Sequence, residues 1–466
     1  MIPSSQYLRK HLRRTVPHSR VLTSPAQLTG YASDGLGYKS FLPDAVVIPA
    51  DAEELIKVIL ALKGIPICMR GAGTSLSGGP VAAQGGVVIH TSRLRAIRRI
   101  CPEGFWCEVE CGVNLDQLDQ ALAPYGLCYP PDPSSGQVCT IGGNVASNAG
   151  GAHCFRYGVT GNYVLGVEVV LPDGTLHCFG GPAGGRGRWR EDWKKLMVGS
   201  EGTLGAFTRF WLRLTPRAEK AWTFSATYAS LEATERAVHG LVRHPAFPVA
   251  IELMDPRAVA LVESSPMAMG LPENRFMIVT EIDGPADLVD LRAESVAEVL
   301  RSAGSTDVQF GDNPGDRKNL FRARKAIGGL LGQMSPDYVV QDAVIPKRAL
   351  AEILRLIYDE SDRAGLPVVT VMHAGDGNLH PNFVFDSGKP EELEKIEVIS
   401  KKLMKQVIAV GGTLSGEHGI GNDKCDYMGM VFGPEALRLQ LSVPMIFNPS
   451  HAFNPLKVFP ERRFVP

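Results

Sequence analysis

The order of apolar and polar positions divides the chain near residue 216. Before that point, short apolar runs of strand length alternate with glycine-rich segments. Residues 65–69, 86–91, 165–171 and 206–214 are such runs, and residues 52–62 and 115–125 carry helical periodicity. The span 20–215 therefore reads as an α+β domain of strands joined by glycine-rich loops. After Thr215-Pro216 the pattern becomes strand, helix, strand, repeated. Strands are expected at 222–228, 249–254, 276–282 and 308–310, with helices at 231–243 and 286–303. This resembles a split β-α-β sheet covered by helices on one face. Further helices are expected over 316–332, 347–364 and 390–410. The last fifty residues are again loop-rich and are expected to return to the first domain. The expected division is thus 1–216, 217–412 and 413–466.

The chain holds 50 glycines in 466 residues, about 11% against a usual level of roughly 7%. They are clustered. The first cluster is Arg70-Gly71-Ala72-Gly73-Thr74-Ser75-Leu76-Ser77-Gly78-Gly79-Pro80, and the second runs from Thr140 through Gly142, Gly143, Asn144 and Asn148 to Gly151. The third is Gly199-Ser200-Glu201-Gly202-Thr203-Leu204-Gly205. Glycine lets a backbone approach a ligand closely, and a row of its N–H groups makes an anion-binding concavity. Three such segments point to one large phosphate-bearing cofactor. A Rossmann fingerprint would open a helix after the first loop, but a strand follows instead. No Gly-Lys-Ser/Thr closes any loop, which excludes a Walker A site.

Charge and cysteine narrow the class further. With 48 Lys+Arg against 49 Asp+Glu, the chain lacks the basic footprint of a nucleic-acid binder. Nine cysteines, an odd number with no Cys-x-x-Cys pair, argue against a disulfide framework, a ferredoxin cluster or a cysteine zinc site. No apolar run reaches transmembrane length, and the start shows basic residues without a secretory apolar stretch. A cytoplasmic location is expected, either free or against the inner face of the membrane, with only peripheral or indirect membrane contact. Leu8 and Leu12, one helical turn apart, suggest a short docked helix.

The richest chemistry is Val371-Met372-His373-Ala374-Gly375-Asp376-Gly377-Asn378-Leu379-His380. Two strands joined by a Gly375–Asn378 turn would set His373 opposite His380, with Cβ atoms ~4.5–5.5 Å apart. Two imidazoles at that spacing suit one metal ion. Downstream, Ser415-Gly416-Glu417-His418-Gly419 adds a carboxylate and a third imidazole. Two histidines and one carboxylate form an open, catalytic donor set rather than a closed structural one. A basic segment, Arg322-Ala323-Arg324-Lys325, offers guanidinium groups for a small carboxylate.

The first glycine loop resembles the pyrophosphate loop of the vanillyl-alcohol oxidase-like flavoproteins. The match continues through Pro131-Asp132-Pro133-Ser134-Ser135, the second and third clusters, His-x-Gly-Asp-Gly-x-x-His and Gly-Glu-His-Gly. Within that superfamily the chain resembles the glycolate oxidase flavoprotein-subunit family, near D-lactate and D-2-hydroxyglutarate dehydrogenases. The resemblance implies a PCMH-type FAD-binding domain and a ferredoxin-like cap domain. It places Arg70, Gly71, Ala72, Gly73, Thr74, Ser75, Gly78 and Gly79 at the diphosphate. Pro131, Ser134, Gly142, Gly143, Asn144, Asn148, Gly151, Gly202, Leu204 and Asn454 complete the FAD set. Covalent members carry a histidine in the first loop; Thr74 and Ser75 stand there, so non-covalent FAD is expected.

The same resemblance implies His373, His380 and Glu417 as ligands of a divalent ion, Zn or Mn. It gives His418 as general base, and Arg324 and Asn382 as substrate contacts. The expected reaction is oxidation of a small 2-hydroxy acid to the 2-oxo acid by hydride transfer to flavin N5. Glycolate, D-lactate and longer D-2-hydroxy acids all remain open, as does a non-redox transferase of the same superfamily. With no cluster or haem motif in the chain, electrons are expected to pass to a separate acceptor, including an iron–sulfur partner subunit. Two positions depart from the family pattern. His90 stands where an acidic residue is common, and Leu456 replaces the glycine of Asn-Pro-Gly-Lys, which puts the C-terminal loop geometry in question.

Overall fold

The computed structural model describes residues 5–182 and 193–460. They cluster into two compact units: Met1–Ala149, Val159–Pro216 and Glu417–Pro466 form the first, Gly150–Gly158 and Arg217–Gly416 the second. Residues 150–158, which the sequence pattern leaves with the first domain, pack with the second unit, and its far limit is Gly416.

The first unit holds two main sheets. One has the order β1-β2-β4-β3, from Val21–Leu22, Ala45–Val47, Ile67–Arg70 (β3) and Val87–His90 (β4). The β2–β4 and β3–β4 pairs are parallel, and the strands are buried on both sides, as parallel strands require. Helix Ala52–Ala61 covers this sheet, started by Asp51 accepting from Glu54 N at 2.9 Å and buried through Leu55, Val58 and Ile59. The helix Ser5–Leu12 buries Leu8 and Leu12 in the same core. The second sheet is antiparallel, order β5-β6-β10-β8-β9, from Ile97–Cys101, Trp106–Glu110, Val164–Val170 (β8), Leu176–Gly180 (β9) and Ala206–Arg213 (β10). A small pair, β7 (Leu127–Cys128) with β11 (Thr215–Pro216), completes the strands of this unit. Near the C-terminus, Phe453 bridges Ile67, and Asn454 N donates to Ile67 O at 2.7 Å.

The second unit is one eight-stranded sheet. Its strands are β12 (Lys220–Tyr228), β13 (Ala250–Met254), β14 (Phe276–Gly284), β15 (Gln309–Gly311), β16 (Asp337–Val340), β17 (Ala343–Val344), β18 (Val368–His373) and β19 (Asn378–Phe385). The order is β15-β12-β14-β13-β18-β19-β16, with β17 also on β19. Its first half has the spatial order fourth-first-third-second, which is the ferredoxin-like arrangement. The second half repeats it: Thr413 bridges Val344 of β17, β17 pairs β19, and β19 pairs β18. The halves join edge to edge where β13 pairs β18, setting Glu252 opposite His373.

Two expectations are corrected here. Helices cover both faces of this sheet, not one. Pro256–Glu263 and Arg322–Met334 pack on Met254, Met277, Val279, Val369 and Val371. The alternate residues Ile251, Leu253, Ile278 and Met372 are equally buried, under helices including Leu231–Val242, Ala286–Ser302 and Leu350–Ala364. The helix expected over 316–332 is two, Pro314–Leu320 and Arg322–Met334, separated at Phe321.

Candidate active site

The three glycine clusters converge within the first unit, apart from Gly150 and Gly151, which fall in the second. The second cluster is not a loop as its glycines suggested. Residues Ile141–Ser147 form a helix, with Thr140 Oγ1 accepting Gly143 N and Asn148 closing it at φ 53°. Asn148 Oδ1 also accepts Gly161 N at 2.8 Å. A Cβ on Gly71 would lie 2.3 Å from Thr140 Oγ1, so the first cluster adjoins the second. Gly199 N donates to Val145 O and Glu201 N to Ala146 O, both at 2.9 Å, tying the third to the second. Asn454 Nδ2 donates to Gly79 O and Glu201 O at 3.2 and 2.5 Å, tying the third to the first. Gly202 and buried Leu204 lie in that third loop, Gly202 against Asn454.

The first loop turns at Gly73, whose φ of 77° brings its backbone against the Arg70 guanidinium, 2.3 Å from where a Cβ would stand. Arg70 itself is buried and donates to the carbonyls of Ser33 (2.9 Å), Pro80 (3.3 Å) and Gly30 (3.5 Å). It therefore sets the shape of the loop from behind. Ser75 Oγ lies 3.2 Å from Ser77 Oγ, while Ala72, Thr74, Gly78 and Gly79 complete the turn beside them. Asn144 is buried with its Nδ2 lacking a hydrogen-bond partner, a donor that a bound ligand would satisfy. Pro131 and Ser134 lie in the stretch leading to Thr140, and Gly151 belongs to the second unit.

The Glu417–Gly421 stretch is anchored to the same network. Ser77 Oγ donates to His418 O at 3.0 Å, and Ser77 O accepts Asn422 N at 2.9 Å. The Glu201 carboxylate takes Ile420 N and Gly421 N, one on each oxygen, both at 2.7 Å. Gly421, at φ 55°, passes where a Cβ would lie 2.0 Å from Ser77 O, so no other residue fits. The Glu417 and His418 side chains lie 3.9 Å apart. Burial, the largest influence, pushes the Glu201 carboxyl above its ordinary range. The two N–H groups, Lys424 and Lys457 act the other way.

The two departures also find places here. Leu456 adopts φ 60°, the conformation that the family glycine would take freely, and its carbonyl accepts Asn422 Nδ2 at 3.0 Å. Lys457 Nζ still reaches Val81 O at 2.9 Å. His90 packs edge-on against Tyr31, and burial, followed by the Arg70 charge, lowers its pKa.

In the second unit, His373 and His380 are 4% and 5% exposed, with ring centroids 5.1 Å apart and planes at 85°. The expected register is off by two residues: His373 faces Asn378, and His380 faces Val371. Ala374 N leaves the hairpin to donate to Ile251 O at 2.7 Å, so the turn begins one residue early and Gly377 N returns to His373 O. A two-residue shift preserves the face, so both imidazoles still point the same way. Each ring's Nδ1 meets an acceptor. His373 Nδ1 lies 2.6 Å from Glu252 Oε1, and His380 Nδ1 lies 3.3 Å from Gln341 O. An ionised carboxylate and a carbonyl only accept, so each neutral ring carries its proton on Nδ1 and its lone pair on Nε2. That is the donor set a divalent cation takes, with outer partners already in place.

Arg324 is tied in through Nε, 2.8 Å from Glu252 Oε2. Burial is the largest influence on Glu252 and would raise its pKa. Adjacent His373 and Arg324 outweigh it and hold the carboxyl below its ordinary range. Asn382 spends Nδ2 on the carbonyls of Val369 and His380, at 2.9 and 2.8 Å, and so braces the hairpin. Asp342, fully buried, accepts from Ser415 Oγ at 2.6 Å and Gly416 N at 3.1 Å. Glu252 and Glu201 were missed as site residues. The available signal was a lone carboxylate inside the apolar strand Ala250-Ile-Glu-Leu-Met254, which must find a charged partner.

The first unit thus gathers converging glycine segments around a buried unsatisfied donor, and the second unit holds a histidine pair and an anchored arginine. Comparison with known proteins makes this specific. Residues 217–458 match the C-terminal domain of FAD-linked oxidases, and residues 43–180 match an FAD-binding domain. The chain is 35% identical to glycolate oxidase subunit GlcD of Escherichia coli K12, over 96% of this chain and 90% of that one. It is 32% identical to the GlcD of Bacillus subtilis (92% of each chain) and to a D-lactate dehydrogenase of Anaerostipes hadrus (90% of each). The chain belongs to the FAD-linked oxidase family that contains these glycolate oxidase subunits, and its cofactor is FAD. Among solved structures, p-cresol methylhydroxylase with substrate bound superposes with TM-score 0.83 at 15% identity, over 98% of this chain and 97% of that one. The 4-ethylphenol oxidase of Gulosibacter chungangensis gives 0.78 at 16% identity, over 99% of both. These two likenesses concern the fold alone. Among the described residues, no helix is long and apolar enough to cross a membrane.

Proposed function

We propose that this chain oxidises a small 2-hydroxy acid, glycolate or D-lactate, to the 2-oxo acid. His373, His380 and Glu417 hold a divalent cation, Zn or Mn. The observation that carries this reading is the pair of buried imidazoles whose Nδ1 atoms both face acceptors, which turns both lone pairs to Nε2. The names of the relatives support the substrate class. Bound FAD supplies a two-electron acceptor, and the cation supplies Lewis acidity toward the substrate hydroxyl. The chain's own residues do the rest. Arg324 pairs its terminal amino groups with the substrate carboxylate, a geometry for which guanidinium is suited. His418 accepts the hydroxyl proton as the α-hydrogen departs with its electron pair. Asn382 and Gln341 keep the hairpin and the His380 ring oriented.

FAD is held without a covalent bond, because Thr74 and Ser75 offer no imidazole in the first loop; acid precipitation should leave the yellow flavin in solution. Electrons leave through a partner subunit carrying an iron–sulfur centre, a reading supported by relatives that are themselves named subunits. The deciding experiment is anaerobic mixing of the flavoprotein with glycolate, D-lactate and D-2-hydroxyglutarate. Bleaching of the visible flavin band by glycolate or D-lactate is expected. An unbleached flavin across the panel overturns the reading.

A further inference from the structure

The groups proposed to touch metal and substrate must be held in register. The centre of the second unit supplies an answer. Glu252 sits where the two half-sheets join, directly opposite His373 on the neighbouring strand. It is 1% exposed, and its two oxygens have different partners: Oε1 is 2.6 Å from His373 Nδ1, and Oε2 is 2.8 Å from Arg324 Nε. Those partners lie 121 and 72 residues away in sequence. A buried carboxylate needs such partners, and here it has one on each side.

We propose that Glu252 is a positioning residue that couples the two halves of the site. Through Oε1 it fixes His373 with its proton on Nδ1 and its lone pair on Nε2. Through Oε2 it takes Arg324 by Nε, leaving the terminal amino pair to address an anionic substrate. One carboxylate thus sets both the cation-binding and the anion-binding geometry, so the two cannot drift independently. No neutral side chain of the same shape can replace it. His373 and Arg324 meet different oxygens, so a glutamine oxygen placed on one of them turns the amide NH2, a donor, toward the other.

The inference rests on the proposed metal site, and the test separates the two. Zn2+ binding is titrated into flavin-loaded, metal-stripped protein for the wild type, His380→Ala, Glu252→Gln and Glu252→Asp. Wild-type binding that His380→Ala abolishes supports the site itself; no binding by the wild type overturns the site reading. Given binding, Glu252→Gln should weaken Zn2+ affinity about 10–100-fold and raise KM for the hydroxy acid. Glu252→Asp, which keeps the charge, should recover part of both. Wild-type Zn2+ affinity in Glu252→Gln, or no difference between Gln and Asp, overturns the role of Glu252 alone. A measurement on the unaltered protein covers the case in which the variants fail to fold. Nitrogen NMR of the metal-free flavoprotein should find a proton on His373 Nδ1; a neutral ring whose only proton is on Nε2 contradicts the proposal.

Discussion

Glu201 and Glu252 are both buried carboxylates beside residues of the proposed site, yet the fold treats them in opposite ways. Glu201 is fed by backbone N–H groups of Ile420 and Gly421, and burial leaves its carboxyl above the ordinary range. Glu252 is fed by two side chains, an imidazole and a guanidinium, and stays below it. The first unit shapes its site with main chain, where glycine matters and charge is incidental. The second shapes its site with side chains, where the charge is the point. Burial alone therefore does not say what a carboxylate does; the nature of its donors does.

That contrast can be broken by experiment. Glu252→Gln strips one partner of a buried ion pair and should cost about 3–5 kcal/mol in urea denaturation. Glu201→Ala orphans two buried N–H groups and should cost about 1–3 kcal/mol for each. Glu201→Gln keeps one acceptor but turns its amide against the second N–H, so it orphans one donor and should cost about 1–3 kcal/mol, less than Glu201→Ala and less than Glu252→Gln. Equal losses in the two Glu→Gln variants would erase the distinction. The pH dependence carries the same sign. Because the Glu201 pKa is raised on folding, its linked stability is complete below the unfolded value of about 4.3 and is lost as pH rises through the folded value. The gap between wild type and Glu201→Gln should therefore shrink between those two values. The smallest effect is a gain: Leu456→Gly relieves a left-handed residue and should stabilise by about 0.5–1 kcal/mol, read from the same denaturation curves.

How much of this was legible depended on how local the cause was. Many strands and helices of both units follow from periodicity, though Pro256–Glu263 and Pro434–Phe447, the latter in a stretch expected to be loop-rich, do not; the glycine clusters mark the region proposed for the cofactor. The second cluster still misled, because Gly142 and Gly143 look like loop residues until Thr140 and Asn148 are seen to cap a helix around them. The hairpin register slipped because Ala374 N is drawn to Ile251 O, a strand more than a hundred residues earlier. The histidines survived that error, since a shift of two preserves a strand's face. Glu252 could not be paired from sequence at all. Its two partners come from a distant helix and strand, and nothing local says which lone glutamate they will meet.

His418 and the hydroxy acid together stand at the centre of the proposed mechanism. Rapid anaerobic mixing of glycolate or D-lactate with wild type and with His418→Ala, each loaded with FAD, tests both at once. Wild-type flavin should bleach within turnover time. The variant should retain its FAD and bleach about 10²–10⁴-fold more slowly. Wild-type speed in His418→Ala, or no bleaching in either protein, would contradict it.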